Sequence, residues 1–342
     1  MKPRLAIFEF HHLGDAVMAL PFVRGARAVY DPMVYCRENI AEFLRVAIPG
    51  VEICGVSGGW RNRLRALRAA ERLGHRDAAA CVWPDSRAHV LMMLSGAGLR
   101  AGFPVTKENF YASHLAWRRR RLIVGRGIEA LGKIVFQKPL LNRPVNKEED
   151  RQHHVESWRQ LANALGFALD TSIPWIPWTV RSGGSLLLHA GGRLPGKRWQ
   201  GFPALLEGVL RDRDVTILAP PGEEHPMPVG PRHRILATPD FPSLLDAVAA
   251  ADALVANDSF VAHLAGALGK PVVTIFGSGE PDWFAPYGEG NRRRAVISRV
   301  CPHHPCIDRC LMPRFVCLEG VSVAQVEATI RIMDSERRAS AS

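Results

Sequence analysis

Three stretches of this chain set charged and hydrogen-bonding side chains where an apolar, strand-like run gives way to a helix-like one. The first, EFHHLGDAVMALPF at residues 9–22, carries His11, His12, Gly14 and Asp15. A carboxylate at that junction can cap the helix by accepting backbone N–H groups, or it can take a proton from a bound hydroxyl, and Asp15 is open to both readings. Pro21 lies beyond the first turn, where it is expected to kink or restart the helix. The second stretch, LLLHAGGRLPGKRWQGFPALLEGVL at 186–210, is glycine-rich and carries His189, Gly191, Arg193, Lys197 and Arg198. Flexible glycines and cations beside a helix start suit a phosphate or diphosphate, although the spacing is neither a Walker loop nor a GxGxxG fingerprint. The third, LVANDSFVAHLAGALGKPVVTIFG at 254–277, interrupts two apolar runs with Asn257, Asp258 and Ser259. Asp258 or Ser259 is the expected N-cap, Gly269 the C-terminal cap, and Pro271 bars continuation. His263 shares the helix face of Ser259 beside an end that favours anions, or is an ordinary partly buried histidine.

The elements that would hold these stretches can be read from hydrophobic period. Short runs rich in Val, Ile, Leu and Ala alternate with helix-like segments, the pattern of parallel sheets covered by helices on both faces. Strands are expected at Leu5–Phe10, Ala79–Trp83, Ser185–His189, Val215–Ala219, Ala253–Ala256 and Val272–Phe276, and the pattern restarts midway. Between the halves, DTSIPWIPWTVRSGG at 170–184 disfavours helix and central strand and reads as an interdomain linker. The expectation is two Rossmann-like, doubly wound α/β domains facing a central cleft, at 1–170 and 171–338. The final helix, Val323–Arg338, is placed either on its own domain or back on the N-terminal one. Ligands of such sheets bind beyond the carboxyl ends of the strands, where all three stretches fall.

Composition narrows the function class. A chain of 342 residues exceeds one ordinary core and suits two. No run approaches the ~20 apolar residues of a membrane span, and His11 and His12 break the N-terminal apolar stretch too early for a secretion signal, so a cytoplasmic location is expected. The formal charge of +11 asks for an anionic partner. Arg61, Arg63, Arg65, Arg68, Arg72 and Arg76 share an expected helix with Leu64, Leu67 and Leu73, and Arg118, Arg119, Arg120 and Arg121 follow Trp117. Such segments suit peripheral contact with anionic lipid; a solvated face is the alternative. Nucleic acid is not an expected partner, because no aromatic-basic recognition motif accompanies the charge.

Of seven cysteines, Cys36, Cys54 and Cys81 are scattered and read as small buried residues. Cys301, Cys306, Cys310 and Cys317 cluster, with His303 and His304 among them. They form a candidate site for structural zinc or iron, with unligated thiols or a disulfide as alternatives, because the paired CxxC knuckles of common zinc folds are missing.

Taken in order, HLGDAVMALP, PDSRAHVLMMLSGAGLRAGF at 84–103, HHVESWRQLANALGF at 153–167, LHAGGRLPGKRW at 188–199, LAPPGEEH at 218–225 and the long stretch at 257–288 resemble glycosyltransferase family 9. This is the heptosyltransferase-like group that builds lipopolysaccharide core. The resemblance implies the GT-B fold, with an N-terminal acceptor domain and a C-terminal nucleotide-sugar domain, and an inverting transfer that requires no cofactor. It implies Asp15 as the base and Lys197 as the cation facing the donor diphosphate. The donor-binding set it points to is His189, Gly191, Arg193, Arg198, Asp258, Ser259, Phe260, Val261 and His263, with Glu223 or Glu224 on the ribose hydroxyls. The acceptor set is His11, His12 and Gly14 together with Arg61, Arg65, Arg119 and Arg120 of the basic segments. Phe260-Val261 departs from the small residues usual after the Asp-Ser pair, so the Phe260 ring must turn away or narrow the site.

The expected function is transfer of a sugar, with ADP-heptose as the leading donor, to an anionic glycolipid or glycan acceptor at the inner face of the inner membrane. The alternatives are another GT-B enzyme, such as a nucleotide-sugar epimerase that needs no acceptor, and a non-catalytic binder of anionic surfaces.

Overall fold

A computed structural model of the protein describes residues 1–57, 62, 65, 77–104, 140–147, 152–181, 185–219, 227, 229–288, 293–307 and 310–341. The described elements of the first half are β1 Arg4–Glu9, α1 Leu13–Ala26, β2 Asp31–Arg37, α2 Glu38–Ala47, β3 Glu52–Val56, β4 Ala78–Cys81, α3 Ser86–Leu94, β5 Leu99–Gly102, β6 Arg143–Pro144 and α4 His154–Ala164. The second half contributes β7 Leu186–His189, a 3-10 turn at Pro195–Lys197, α5 Phe202–Glu207, β8 Val215–Ala219, β9 His233–Ala237, α6 Phe241–Ala250, β10 Ala253–Asn257 and α7 Phe260–Ala267. It ends with β11 Val272–Phe276, α8 Pro281–Phe284, β12 Arg293–Ile297, α9 Val316–Glu319 and α10 Val323–Ala341.

These elements form two compact units, Met1–Thr171 and Ser172–Ser342. Each holds one six-stranded sheet, in the orders β3-β2-β1-β4-β5-β6 and β12-β11-β10-β7-β8-β9. All pairings are parallel. The two orders are the same winding: in each, the chain builds outward from the first strand on one side, then crosses to its other side for the fourth. The switch points are β1/β4 and β7/β10, the position at which doubly wound sheets receive ligands. The α/β class expected from the sequence is the one observed.

Strand composition follows from burial on two faces. β4, with sequence AAAC, and β7, with LLLH, are buried at every residue, as parallel central strands must be. The strands the hydrophobic pattern passes over have weaker signals. β2 opens on Asp31-Pro32, which reads as a turn, and the edge strand β9 leaves Ile235 55% exposed.

In the first unit, α1 is buried along most of its length and packs on α4, with Phe22 4.7 Å from Trp158 between ring centroids. α1 runs through Pro21 without restarting, contrary to the expectation, and the Pro21 carbonyl accepts the Asp170 N–H at 3.2 Å. In the second unit, Val326, Ile330 and Met333 recur on one face of α10 and enter the core built around Leu186, Trp199 and Phe202. Arg213 pairs bidentately with Asp334 at 2.6 and 3.0 Å, and Arg337 with Asp252 at 2.9 Å, holding α10 to its own sheet. Residues 172–181, inside the stretch read as a linker, lie against this unit too. Trp175 and Ile176 are buried, and the Trp175 N–H donates to the Ala267 carbonyl at 2.7 Å. Among the described residues no helix is long and apolar enough to cross a membrane.

Gly25 ends the packing face of α1 where a Cβ would overlap the Ala168 carbonyl oxygen. Gly25→Ala should therefore destabilise the protein by about 1–3 kcal/mol, through overpacking against backbone that cannot yield, as read by urea unfolding. An unchanged midpoint would show that the α1 contact with residues 168–170 is loose.

Candidate active site

At the switch point of the second sheet, β7 and β10 run side by side and place His189 opposite Ala256. The next residue of β10, Asn257, is fully buried and hydrogen-bonds the loop that leaves β7. Its Nδ2 donates to the carbonyls of Ala190 at 2.7 Å and Gly191 at 3.2 Å, and its Oδ1 accepts the Trp199 N–H at 3.2 Å. Trp199 is fixed in turn by its indole N–H, which donates to the Val321 carbonyl at 2.9 Å. The glycine-rich loop is thus clamped at both ends by one amide side chain. The polar interruption of the apolar runs begins with this residue, which was not among the predicted site residues. Its signal was present in the sequence: an amide closing an apolar strand must find partners when buried.

The clamp sets Lys197, last residue of the 3-10 turn, 2.9 Å from Asp258 through Nζ and Oδ2. The contact is an ion pair rather than an aligned hydrogen bond. Asp258 is 5% exposed, whereas a quarter of the Lys197 side chain meets solvent, so the lysine is the more accessible partner of the pair. The loop after β11 closes against both partners. The Ser278 N–H donates to the Gly196 carbonyl at 3.3 Å, and a Cβ at Gly279 would lie 2.7 Å from Asp258 Oδ2, so only glycine allows this approach. Ser259 is the N-cap of α7, one of the two expected caps, and its Oγ lies 3.2 Å from His189 Nδ1. Val261 and His263 are buried within α7. Phe260 is half-buried with its ring edge-on to Phe241, the first residue of α6, at 5.9 Å. The expected conflict at Phe260 thus has a packing answer, since a neighbouring aromatic takes up part of the ring. Arg193 and Arg198 are exposed, and the Arg198 Nε donates to the Gly192 carbonyl.

The switch point of the first sheet carries the other predicted set. His12, not Asp15, is the N-cap of α1, which corrects the bare-cap reading: Asp15 stands at the third helical position. The two make a reciprocal capping box in which Asp15 Oδ2 accepts the His12 N–H at 3.1 Å. Asp15 is 8% exposed and Gly14 half-buried, while His12 faces solvent. The His11 ring stacks on Trp83 at 4.2 Å, and Trp83 stacks on His154 at 4.4 Å. Burial pushes His11 down to about 4, with the Asp85 charge opposing. Two neighbours were missed by sequence reasoning: Glu9, at 1% exposure, and the fully buried His89 of α3.

Arg61, Arg119, Arg120, Glu223 and Glu224 lie outside the described residues, and Arg65 is helical and exposed. The cysteine set is corrected by packing. Cys301 and Cys317 are built into the hydrophobic core of the second unit, Cys306 and Cys310 are half-buried, and none of the seven cysteines is in a disulfide. Among the described residues no three His, Cys, Asp or Glu side chains gather as a metal would require, so this donor set does not fit zinc or iron.

Residues 213–312 match the model of glycosyltransferase family 9 (heptosyltransferase). No curated protein matches. Several solved structures share the fold across nearly the whole chain. The glycosyl transferase family 9 protein from Veillonella parvula DSM 2008 is 16% identical, with 98% of each chain covered and a TM-score of 0.72. E. coli heptosyltransferase WaaC with ADP is 17% identical over 96% of this chain and 99% of that one, with a TM-score of 0.65. E. coli ADP-heptose lps heptosyltransferase II is 17% identical over 99% of this chain and 100% of that one, with a TM-score of 0.63.

The buried imidazoles make a pH prediction. Burial lowers His89 from 6.5 to about 4, the Asp85 charge opposing. Between those values the unfolded chain binds a proton that the native protein refuses, so stability rises with pH across the window and is lost as pH falls from about 6.5 towards 4. The shift corresponds to roughly 3 kcal/mol at most. His89→Leu should flatten the fall in urea stability between pH 7 and pH 4; a parallel curve would remove His89 from the cause.

Proposed function

We propose that this chain, a glycosyltransferase with the family 9 signature across residues 213–312, moves a heptose with inversion from ADP-heptose to an anionic lipopolysaccharide-core or related glycan acceptor. The observation that carries the reading is the Lys197–Asp258 pair at the switch point of the second sheet, with the partly exposed lysine paired to the residue that precedes the cap of α7. An accessible lysine and helical N–H groups together favour a diphosphate, and they matter most as the leaving group gathers charge. Asp258 orients Lys197 rather than touching phosphate, since two anions repel. His189 and Ser259 complete the donor side, and Glu223 or Glu224 takes the ribose hydroxyls. The similar E. coli heptosyltransferase WaaC has been solved with ADP and with ADP-2-deoxy-2-fluoro heptose, which favours adenine and heptose as the donor's parts.

On the acceptor side Asp15 is the base. Its carboxylate takes the proton of the acceptor hydroxyl, the freed oxygen bonds to the anomeric carbon, and the bond from that carbon to the diphosphate breaks on the opposite face. The capping box keeps one Asp15 oxygen on the His12 amide and so fixes the carboxylate's direction. His11, His12 and Gly14 line the same turn. The first unit is the acceptor domain and the second the donor domain in this reading, and the step needs no metal. The charge of +11 and the basic segments favour a cytoplasmic enzyme working at the inner membrane surface.

Asp15→Asn should keep donor affinity, by calorimetry with ADP-heptose, while turnover falls on the order of 10²–10⁴-fold; full turnover would end the base assignment. Lys197→Ala should weaken donor binding and lower turnover about a hundredfold. It should also cost roughly 1–3 kcal/mol of stability, because Asp258 is left as a buried unpaired charge. Adding Asp258→Asn should restore the stability but not the turnover. If it restores both, Lys197 acts on the fold and not on the donor.

A further inference from the structure

The end of β1 holds a second carboxylate that the transfer step does not use. Glu9 is 1% exposed, and its Oε1 accepts the His11 N–H at 2.8 Å. Asp15, in the same turn, accepts the next N–H, that of His12. Two carboxylates thus hold two consecutive amides of one loop. The other Glu9 oxygen, Oε2, is buried and receives no aligned hydrogen bond, although the Trp83 indole lies close enough to influence it. Trp83 in turn carries the His11 ring, so Glu9 holds the backbone of His11 while its neighbour holds the side chain.

The groups facing Glu9 can be named from each packed element. Asp15 comes from α1, Cys36 and Arg37 from the end of β2, and Cys81 from β4. Cys36 pairs with Glu9 across the sheet, and burial pushes both thiols up, so neither supplies charge at neutral pH. Arg37 is the one cation among them and is outweighed: burial first, then the Asp15 charge, hold the Glu9 carboxyl well above the usual carboxylate range. Like charges so placed cannot both be kept cheaply, and the more buried group is the one that retains a proton.

We propose that Glu9 is a positioning residue for the base: as a neutral carboxylic acid it pins the His11 amide and leaves Asp15 the only anion of the pair, ionised and aimed. Glu9 keeps its proton through the cycle, and the acceptor's proton goes to Asp15. The link to turnover rests on Asp15 being the base; the protonation of Glu9 does not.

Infrared titration of the protein without substrate tests the protonation. A protonated carboxylic-acid carbonyl band should persist towards neutral pH, vanish in Glu9→Gln, and titrate at lower pH in Asp15→Asn, where the neighbouring charge is gone. The pH profile of turnover tests the positioning. Glu9→Gln should leave the acid limb where it lies in the wild type, and Glu9→Leu, which cannot accept the His11 amide, should lower kcat about tenfold or more with little change in donor Kd. A band unaffected by Glu9→Gln, or an acid limb moved to lower pH by it, would mean that Glu9 is ionised and overturns the proposal. Should Glu9→Gln not fold, the Asp15→Asn comparison decides: a carbonyl band titrating at the same pH in both proteins overturns it equally. If Asp15→Asn retains turnover while the band still shifts, the base assignment fails and the protonation of Glu9 stands.

Discussion

Both sheets consist of parallel strands, and the inner ones are shielded on both faces, which governs where polar chemistry can occur in this protein. A side chain in the middle of β1, β4, β7 or β10 meets apolar neighbours on either side, so charge there would be stranded. Only at the carboxyl end does a strand release its chain into a loop, and only at β1/β4 and β7/β10 do the following connections part to opposite sides. Glu9, His11 and Asp15 collect at the first of these places; His189, Asn257 and Asp258 collect at the second. The chemistry is confined to these ends because the sheet excludes it elsewhere.

Each switch point is braced by a buried polar side chain from the last residue of a strand, and the two braces differ in kind. Asn257 is neutral and satisfied, donating to two carbonyls and accepting one amide, so it rigidifies the glycine-rich loop without adding a field. Glu9 is ionisable and only half satisfied, so it holds its loop and is itself subject to the charge of Asp15. The second unit puts its charge one residue later, in Asp258, and offsets it with Lys197. The close passage of Gly279 and the contact of Ser278 with Gly196 join three loops that are distant in sequence.

Much of this was legible beforehand. Val215–Ala219 and Val272–Phe276 are strands at the expected residues, because uninterrupted β-branched and aliphatic runs between turn residues have few other uses. Ser259 stands at the expected cap position, where the extended strand turns into α7, but its hydroxyl meets His189 across the sheet rather than the amides that follow, a contact that local sequence does not announce. The cap of α1 was misplaced by three residues, since a capping box reads in reverse, with the acidic member inside the helix and an unremarkable histidine outside it. The cysteine cluster misled in the opposite way. Its spacing proposed a metal site; Cys301 and Cys310 do come near Cys317, but Cys301 and Cys317 are drawn into the core by the apolar residues beside them, and a thiol serves there as a small hydrophobe.

The sequence by itself determined the class of fold, the rhythm of strand and helix, and the three stretches in which polar residues end an apolar run, because these depend on local hydrophobic period and on what the backbone requires at the end of a strand. Tertiary structure alone decided which of those residues meet. Lys197 and Asp258 are sixty-one positions apart and pair because β7 and β10 are neighbours in the sheet. Glu9 is an ordinary strand residue in sequence and becomes an unusual acid only when β2, β4 and α1 close around it. Burial and the approach of distant charges are properties of packing, and no local pattern of residue types encodes them.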